Sequence, residues 1–233
     1  MEVRAINTVV ERDIQEIISD SQIFDAFRGK LILVTGATGL IGSMVARSLI
    51  AANDAYHLSL RVICHVRNIE KAHHMFSDIV DSDILTFVDT PLESLDIACD
   101  YIMHGAAPTK SKYFVEHPVD TIRTSIHGTE RMLELGKEQK IKGMVYLSSM
   151  EQYGVPYESG QVMTEDRIGY LDHLNVRSSY SESKRLCECY CKSYAVEFGV
   201  PVKIARLAQT FGAGVPLDDN RVFMQFTQHA LDG

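Results

Sequence analysis

Short apolar runs and amphipathic stretches of helical period alternate along most of this chain of 233 residues. Strands that alternate with helices form a parallel sheet, because each return crossing lays a helix on one face of the sheet. We therefore predict an α/β fold, a doubly wound parallel sheet with helices on both faces. The predicted strands cover 31–34, 60–66, 84–88, 101–104, 143–148 and 202–207, and the predicted helices cover 40–51, 68–76, 117–139, 178–198 and 220–231.

Two stretches stand outside this alternation. Residues 8–27 carry apolar side chains near helical spacing with acids between them, which predicts one amphipathic helix packed against the domain. We accordingly divide the chain into an N-terminal helical extension over 1–29 and a domain over 30–233. Residues 150–176 form a long irregular stretch broken by glycine and proline, and loops of that length in compact domains are usually functional.

A glycine-rich turn, GATGLIG, connects the first predicted strand to the first helix of the domain. The first glycine permits the tight turn, the second lets a pyrophosphate approach the backbone, and the third lets helix and strand pack closely. Free N–H groups at the positive end of the helix then hold the phosphates. The turn predicts a Rossmann-like dinucleotide site, and its cofactor-binding residues are Gly36, Thr38, Gly39, Leu40, Ile41 and Gly42.

The ends of the following strands provide further cofactor contacts. Folds selective for NAD usually place an acid near the end of the second strand, but residues 61–68 contain none and Arg67 is placed for a 2′-phosphate. Arg67 thus favours NADP, while NAD stays open because the same side chain could be a surface charge or stack on the adenine. The other predicted contacts follow the third and fourth strands: Asp89, Thr90, Gly105, Ala106 and Ala107.

A tyrosine and a lysine share one face of the helix predicted over 178–198. Tyr180 and Lys184 stand at i and i+4. A nearby Lys⁺ stabilises a phenolate, so we expect Lys184 to lower the pKa of Tyr180 and make it a usable base near neutral pH. A serine from Ser148-Ser149, at the end of the fifth strand, is expected to hydrogen-bond the same substrate hydroxyl.

With GATGLIG, HGAA, SSMEQYG and YSESK in this order, the domain resembles the extended short-chain dehydrogenases/reductases, in particular the nucleotide-sugar epimerase/dehydratase family. The resemblance covers 30–233. It implies that Ser149, Tyr180 and Lys184 are catalytic, that Tyr180 takes a proton from a sugar hydroxyl, and that Lys184 binds the nicotinamide ribose. It also implies a nucleotide-diphosphate sugar as the substrate and a transient 4-keto sugar.

Within this family, Glu151 distinguishes the branches. Glucose-nucleotide 4,6-dehydratases carry an Asp-Glu pair here, whereas this chain has Met150 before Glu151, which is similar to UDP-glucuronate decarboxylases. The resemblance implies that Glu151 is catalytic and that Thr109, Gln209 and Arg221 contact the substrate. The 4-epimerase and the 4,6-dehydratase remain alternatives, as does a dinucleotide-binding protein without catalysis, because Gln209 departs from the family's Asn and the small substrate domain of relatives is largely absent.

Charge and composition restrict the partners. A net charge of −8 argues against nucleic acid or an anionic membrane as the main partner, and no apolar run reaches the length of a transmembrane helix. Five cysteines without framework spacing indicate a reducing cytoplasm, and they do not form a metal site. We expect a homodimer through the helices over 117–139 and 178–198, with apolar contacts from Ile122, Ile126, Met132, Leu133, Leu186 and Tyr190.

Overall fold

The computed structural model describes residues 7–79, 83–160, 162–215, 219 and 221–232. Its strands are β1 (Leu31–Thr35), β2 (Arg61–His65), β3 (Leu85–Val88), β4 (Tyr101–His104), β5 (Gly143–Ser149) and β6 (Val202–Leu207). Its α-helices are α1 (Thr8–Ile17), α2 (Leu40–Tyr56), α3 (Ile69–Met75), α4 (Ser111–Glu116), α5 (Pro118–Gln139), α6 (Ser178–Glu197) and α7 (Val222–Asp232), and short 3-10 helices occupy Ser21–Phe27, Leu92–Ser94 and Met150–Tyr153.

The six strands form one parallel sheet in the order β3-β2-β1-β4-β5-β6. The chain winds outward from β1 to β3 on one side and from β4 to β6 on the other. The strand order therefore reverses beside β1, and in such sheets ligands bind in the crevice outside the carboxyl ends of the strands at this point. The predicted doubly wound α/β fold is confirmed.

Each face of the sheet has its own hydrophobic core. Alternate residues of β1 point to opposite faces: Ile32 and Val34 pack with α1, α2 and α3, whereas Leu33 packs with α5 and α6. Met132 and Leu133 of α5 are fully buried in the second core. The prediction that these two side chains contact a second subunit is therefore wrong, because the chain's own sheet already covers them.

The N-terminal segment packs on the domain as predicted, with Ile14, Ile18 and Phe24 in the first core. The prediction of one helix over 8–27 is wrong, because α1 ends at Ile17 and a 3-10 helix follows. Asp20 separates them: its side chain accepts a hydrogen bond from the N–H of Gln22 at 3.0 Å and so caps the second helix. Residues 1–6 of the predicted extension lie outside the described residues.

The other element bounds differ from the predicted ones mainly at helix ends. Helix α2 runs to Tyr56 and not to 51, and ends where His57 adopts the left-handed conformation at φ 50°. Helix α4 was not predicted, and residue 220, the predicted start of the last helix, lies outside the described residues. Within the described part of the chain, no helix has the length and apolar character needed to span a bilayer.

Candidate active site

At Gly36 and Gly42, the glycine turn between β1 and α2 leaves no room for a side chain. A Cβ on Gly42 would lie 2.3 Å from the carbonyl oxygen of Gly36. A Cβ on Gly36, which has a φ of 72°, would lie 2.8 Å from the backbone of Gly105. Gly39 is the N-cap of α2 and supplies no side chain to its free amides. The turn therefore exposes backbone N–H groups at the positive end of a long helix, as a pyrophosphate site requires. Thr38, Leu40 and Ile41 lie in this same turn and first helical residues.

Beneath the turn, a buried polar chain fixes the end of β4. The Thr35 hydroxyl accepts the N–H groups of Gly105 and Ala106 at 3.2 Å each and lies 2.7 Å from Nδ1 of His104. Nε2 of His104 in turn lies 3.3 Å from the hydroxyl of Thr129. Burial lowers the pKa of His104 to about 3, so the ring is neutral. This series of hydrogen bonds thereby holds Gly105 against the glycine turn.

The remaining predicted cofactor residues lie at the carboxyl edge of the sheet. Arg67 follows β2 and is exposed, and Asp89 and Thr90 follow β3 and are exposed as well. The carbonyl oxygen of Thr90 lies 2.9 Å from Nε2 of His65. Ala107 follows β4 and is half-buried. Parallel strands bring all these residues to the edge that carries the glycine turn.

Tyr180, Lys184 and Ser149 come together where α6 crosses the end of β5. Tyr180 forms a side-chain hydrogen bond with Ser149. The neighbouring Ser148 points to the other side and donates to Glu188 at 2.5 Å, because successive strand residues face opposite ways. Ser149 is therefore the serine that faces Tyr180.

The expectation that Lys184 lowers the pKa of Tyr180 is wrong for this structure. Burial is the largest influence on Tyr180 and raises its pKa, while the hydrogen bond with Ser149 opposes this. Lys184 is 4% exposed, and its ammonium donates to the carbonyl oxygen of Leu147 at 2.7 Å. Burial lowers the pKa of Lys184 itself to about 8. Lys184 thus lies beside the phenol ring, 5.7 Å from its centre, without being the group that tunes it.

Glu151 lies in the short 3-10 helix that follows β5. It forms an ion pair with Arg177, whose guanidinium lies 2.9 Å from Oε2. The hydroxyl of Ser181 donates to the same carboxylate at 3.3 Å. The side chain of Glu151 is about one-third exposed. A carboxylate thus lies near Tyr180. Arg177 was missed, although it stands one helical turn before Tyr180 and the i, i+3 spacing could have indicated it.

Two further arginines fasten the described part of the 150–176 loop. Arg185 of α6 donates to the carbonyl oxygens of Gln152 at 2.6 Å, Tyr153 at 3.1 Å and Gly169 at 2.8 Å. Arg206 of β6 donates to the carbonyl oxygen of Glu165 at 2.8 Å and also pairs with Glu188. Charged donors of α6 and β6 therefore hold the backbone of this loop.

The three predicted substrate residues are exposed. Thr109 lies before α4, Gln209 follows β6, and Arg221 directly precedes α7. Arg221 already has local partners, since its Nε lies 2.9 Å from Asp219 and its NH1 donates to the carbonyl oxygen of Thr210 at 3.0 Å. A substrate anion at Arg221 would compete with Asp219.

Residues 32–233 match the sequence model of the NAD dependent epimerase/dehydratase family. The chain is 31% identical over 209 residues to UDP-glucuronic acid decarboxylase 1 of Danio rerio, covering 88% of this chain and 47% of that protein. It is 32% identical over 206 residues to UDP-glucuronic acid decarboxylase 6 of Arabidopsis thaliana, covering 87% and 57%. The chain therefore spans about half the length of these curated relatives.

Solved structures share the fold. UDP-glucuronic acid 4-epimerase of Bacillus cereus, in complex with UDP-glucuronic acid and NAD, superposes with a TM-score of 0.71 at 22% identity, covering 87% of this chain and 63% of that one. DesIV, a dTDP-glucose 4,6-dehydratase of Streptomyces venezuelae, superposes with a TM-score of 0.70 at 22% identity, covering 87% and 62%.

Proposed function

This chain belongs to the NAD dependent epimerase/dehydratase family, and from that premise we propose that it modifies a nucleotide-diphosphate sugar as a UDP-glucuronate decarboxylase-type enzyme. The observation that carries the proposal is the convergence of Ser149, Tyr180 and Glu151 at the carboxyl end of β5. The curated decarboxylases named above support the choice of branch. We propose that this activity serves surface-polysaccharide synthesis.

The residues at the turn fit a dinucleotide. A Cβ would fill the space at Gly36 and Gly42, so the backbone is left open at these two positions of the turn that would receive the diphosphate. Arg67 would face the adenosine ribose, and its positive charge favours NADP over NAD. When bound, the nicotinamide would accept hydride from the sugar and return it. Asp89, Thr90, Gly105, Ala106 and Ala107 would contact the rest of the cofactor.

The catalytic work of the chain starts at the phenol of Tyr180. As a phenolate, Tyr180 would accept the proton of the sugar C4 hydroxyl, which Ser149 would orient by a hydrogen bond. Lys184 would hold the nicotinamide ribose, and its donor bond to Leu147 keeps the ammonium in place. Thr109, Gln209 and Arg221 would contact the nucleotide sugar.

Glu151 would act at the sugar after C4 has become a ketone. Loss of the C6 carboxylate as CO₂ from the β-keto acid leaves an electron pair at C5, and a proton must be delivered there. Met150 cannot exchange protons, so Glu151 is the side chain at this position that would take a proton from solvent, to which it is about one-third exposed, and deliver it to C5.

The test is mass spectrometry of the product after incubation of the full chain with UDP-glucuronate and NAD or NADP. A product lighter by one CO₂ supports the proposal. A product of unchanged mass whose C4 is inverted by NMR would identify a 4-epimerase, and loss of water in a parallel incubation with a nucleotide-linked glucose would identify a 4,6-dehydratase. Dinucleotide binding without any product would leave the non-catalytic alternative.

We also propose a homodimer in the cytoplasm. Ile122 of α5 and Leu186 of α6 are exposed apolar side chains on the two helices that would form the contact. The cysteines of the chain are free thiols, which is in keeping with a reducing compartment.

A further inference from the structure

Arg177 connects the two ionisable groups of the candidate site. Its guanidinium lies 2.9 Å from Oε2 of Glu151 and 3.1 Å from Oε1, so it contacts both carboxylate oxygens. Both contacts come from the same nitrogen, NH2, and the hydroxyl of Ser181 donates to Oε2 at 3.3 Å. Arg177 and Ser181 together therefore hold the Glu151 carboxylate, and Arg177 supplies the opposite charge.

Phe114 of α4 connects the same guanidinium to the phenol. The rings of Phe114 and Tyr180 stack with 4.3 Å between centres and 2° between planes. The guanidinium of Arg177 lies 4.9 Å from the centre of the Phe114 ring. Phe114 is 1% exposed, so its stack with Tyr180 is shielded from water, whereas the Arg177 side chain is 36% exposed and its cation–π contact is partly solvated.

The charged groups around Tyr180 act in opposite directions. Arg177 favours the phenolate and Glu151 disfavours it, because one is a cation and the other an anion. The Lys184 ammonium lies 5.7 Å from the centre of the Tyr180 ring and 4.8 Å from the centre of the Tyr146 ring. The ion pair of Arg177 and Glu151 thus places two opposite charges in the surroundings of Tyr180.

We propose that Arg177 is a positioning residue for the reaction, holding the Glu151 carboxylate by its ion pair and the Tyr180 ring through the Phe114 stack. The inference rests on the proposed function, since it assigns Arg177 to the two groups that would exchange protons with the sugar. The role of Arg177 can nevertheless be tested separately from that function, because its effect on Tyr180 can be measured without substrate.

The substrate-free test is the pH titration of Tyr180 by NMR of the full chain labelled with ¹³C at tyrosine Cζ, with the Tyr180 signal assigned by its loss in Tyr180→Phe. Relative to the parent protein, Arg177→Gln should raise the pKa of Tyr180 and Glu151→Gln should lower it. Arg177→Lys, which keeps the positive charge, should shift it less than Arg177→Gln. Arg167→Gln, which removes an exposed arginine of the same loop, is the matched control and should leave it unchanged.

The activity test separates positioning from binding. With UDP-glucuronate, Arg177→Gln should lower kcat by up to about 100-fold, the cost of misplacing a reacting group by about 1 Å, with little change in KM. Phe114→Leu should also lower kcat, because it removes the ring that stacks on Tyr180. Unchanged Tyr180 titration in both Arg177→Gln and Glu151→Gln would overturn the inference, as would a rise in KM with kcat unaltered. If the parent protein turns over no UDP-glucuronate, the proposed function fails, whereas the titration still decides the role of Arg177.

Discussion

Replacing Thr35 by valine tests the buried polar chain that supports the glycine turn. Valine matches threonine in shape, so the change removes a hydroxyl without opening a cavity. The hydroxyl accepts two N–H groups, and its one proton is therefore directed at Nδ1 of His104, 2.7 Å away. The neutral ring then carries its proton on Nε2 and donates to Thr129, which donates to the carbonyl oxygen of Ser125 at 2.7 Å.

The cost follows from the groups that lose a partner. The Gly105 N–H keeps a second acceptor, the carbonyl oxygen of Thr35 at 3.1 Å. The Ala106 N–H and Nδ1 of His104 both lose the hydroxyl. A buried ring nitrogen and a part-buried N–H without their partner amount to about 2–6 kcal/mol of lost unfolding free energy. Because Gly105 lies against Gly36, the affinity for the dinucleotide should fall as well.

Urea unfolding at pH 7 measures this loss, and Thr35→Ser is the matched control. Serine keeps the hydroxyl and loses one methyl group, for which we expect about 1 kcal/mol. Thr35→Val should therefore be the less stable variant although it retains more apolar surface. Equal stability of the two variants, or greater stability of Thr35→Val, would refute the assigned hydrogen bonds.

Four further results are expected. The pKa of His104 is lowered to about 3 in the folded protein, against about 6.5 in the unfolded chain, so the stability that its neutral ring contributes is complete above pH 6.5 and is lost as the pH falls toward 3. The free energy of unfolding should fall by at most about 1.4 kcal/mol per pH unit from this group. Urea unfolding from pH 7 to 4 measures this pH dependence, which should be weaker in His104→Gln. Gly42→Ala should destabilise by at least about 1–3 kcal/mol in thermal unfolding because its Cβ would lie 2.3 Å from a backbone oxygen, whereas Gly212→Ala, with open space around it, should not. Tyr180→Phe should keep the fold by circular dichroism and lower turnover on the order of 100-fold or more, and wild-type turnover would remove it from the chemistry. Light scattering at micromolar concentration should show a dimer, and a monomer would contradict the predicted contact between two subunits through α5 and α6.

The parts of the fold that depend on local sequence were predictable. The alternation of apolar strands with helices predicts the parallel sheet, and the GATGLIG turn predicts the edge of the sheet that would bind the cofactor. Both patterns can be recognised within a few residues of sequence. The break at Asp20 was not predicted, since the helical period of residues 8–27 continues across it while the cap interrupts the backbone. Burial of Met132 and Leu133 was also not predictable, because a helix period does not show whether the sheet or a partner covers a given stripe.

In the candidate site, spacing alone predicts only contacts along one helix. Tyr180 and Lys184 share a helical face, so their proximity follows from spacing, but spacing does not show whether Lys184 tunes the pKa of Tyr180. The Lys184 ammonium donates to the carbonyl oxygen of Leu147 in β5, and burial is the largest influence on the pKa of Tyr180. Phe114 and Arg177 are distant in sequence, and only the packing of α4 against α6 brings their side chains together.

The arginine-fastened loop has a consequence for the thermodynamics of ligand binding. Arg185 and Arg206 hold its carbonyl groups before any ligand arrives, so the conformational entropy of this loop is lost when the protein folds and not when it binds. Its described residues then add no disorder-to-order transition to the association. The heat capacity change of binding should accordingly reflect only the surface that the ligand itself covers, without the larger negative contribution of a segment that folds around it.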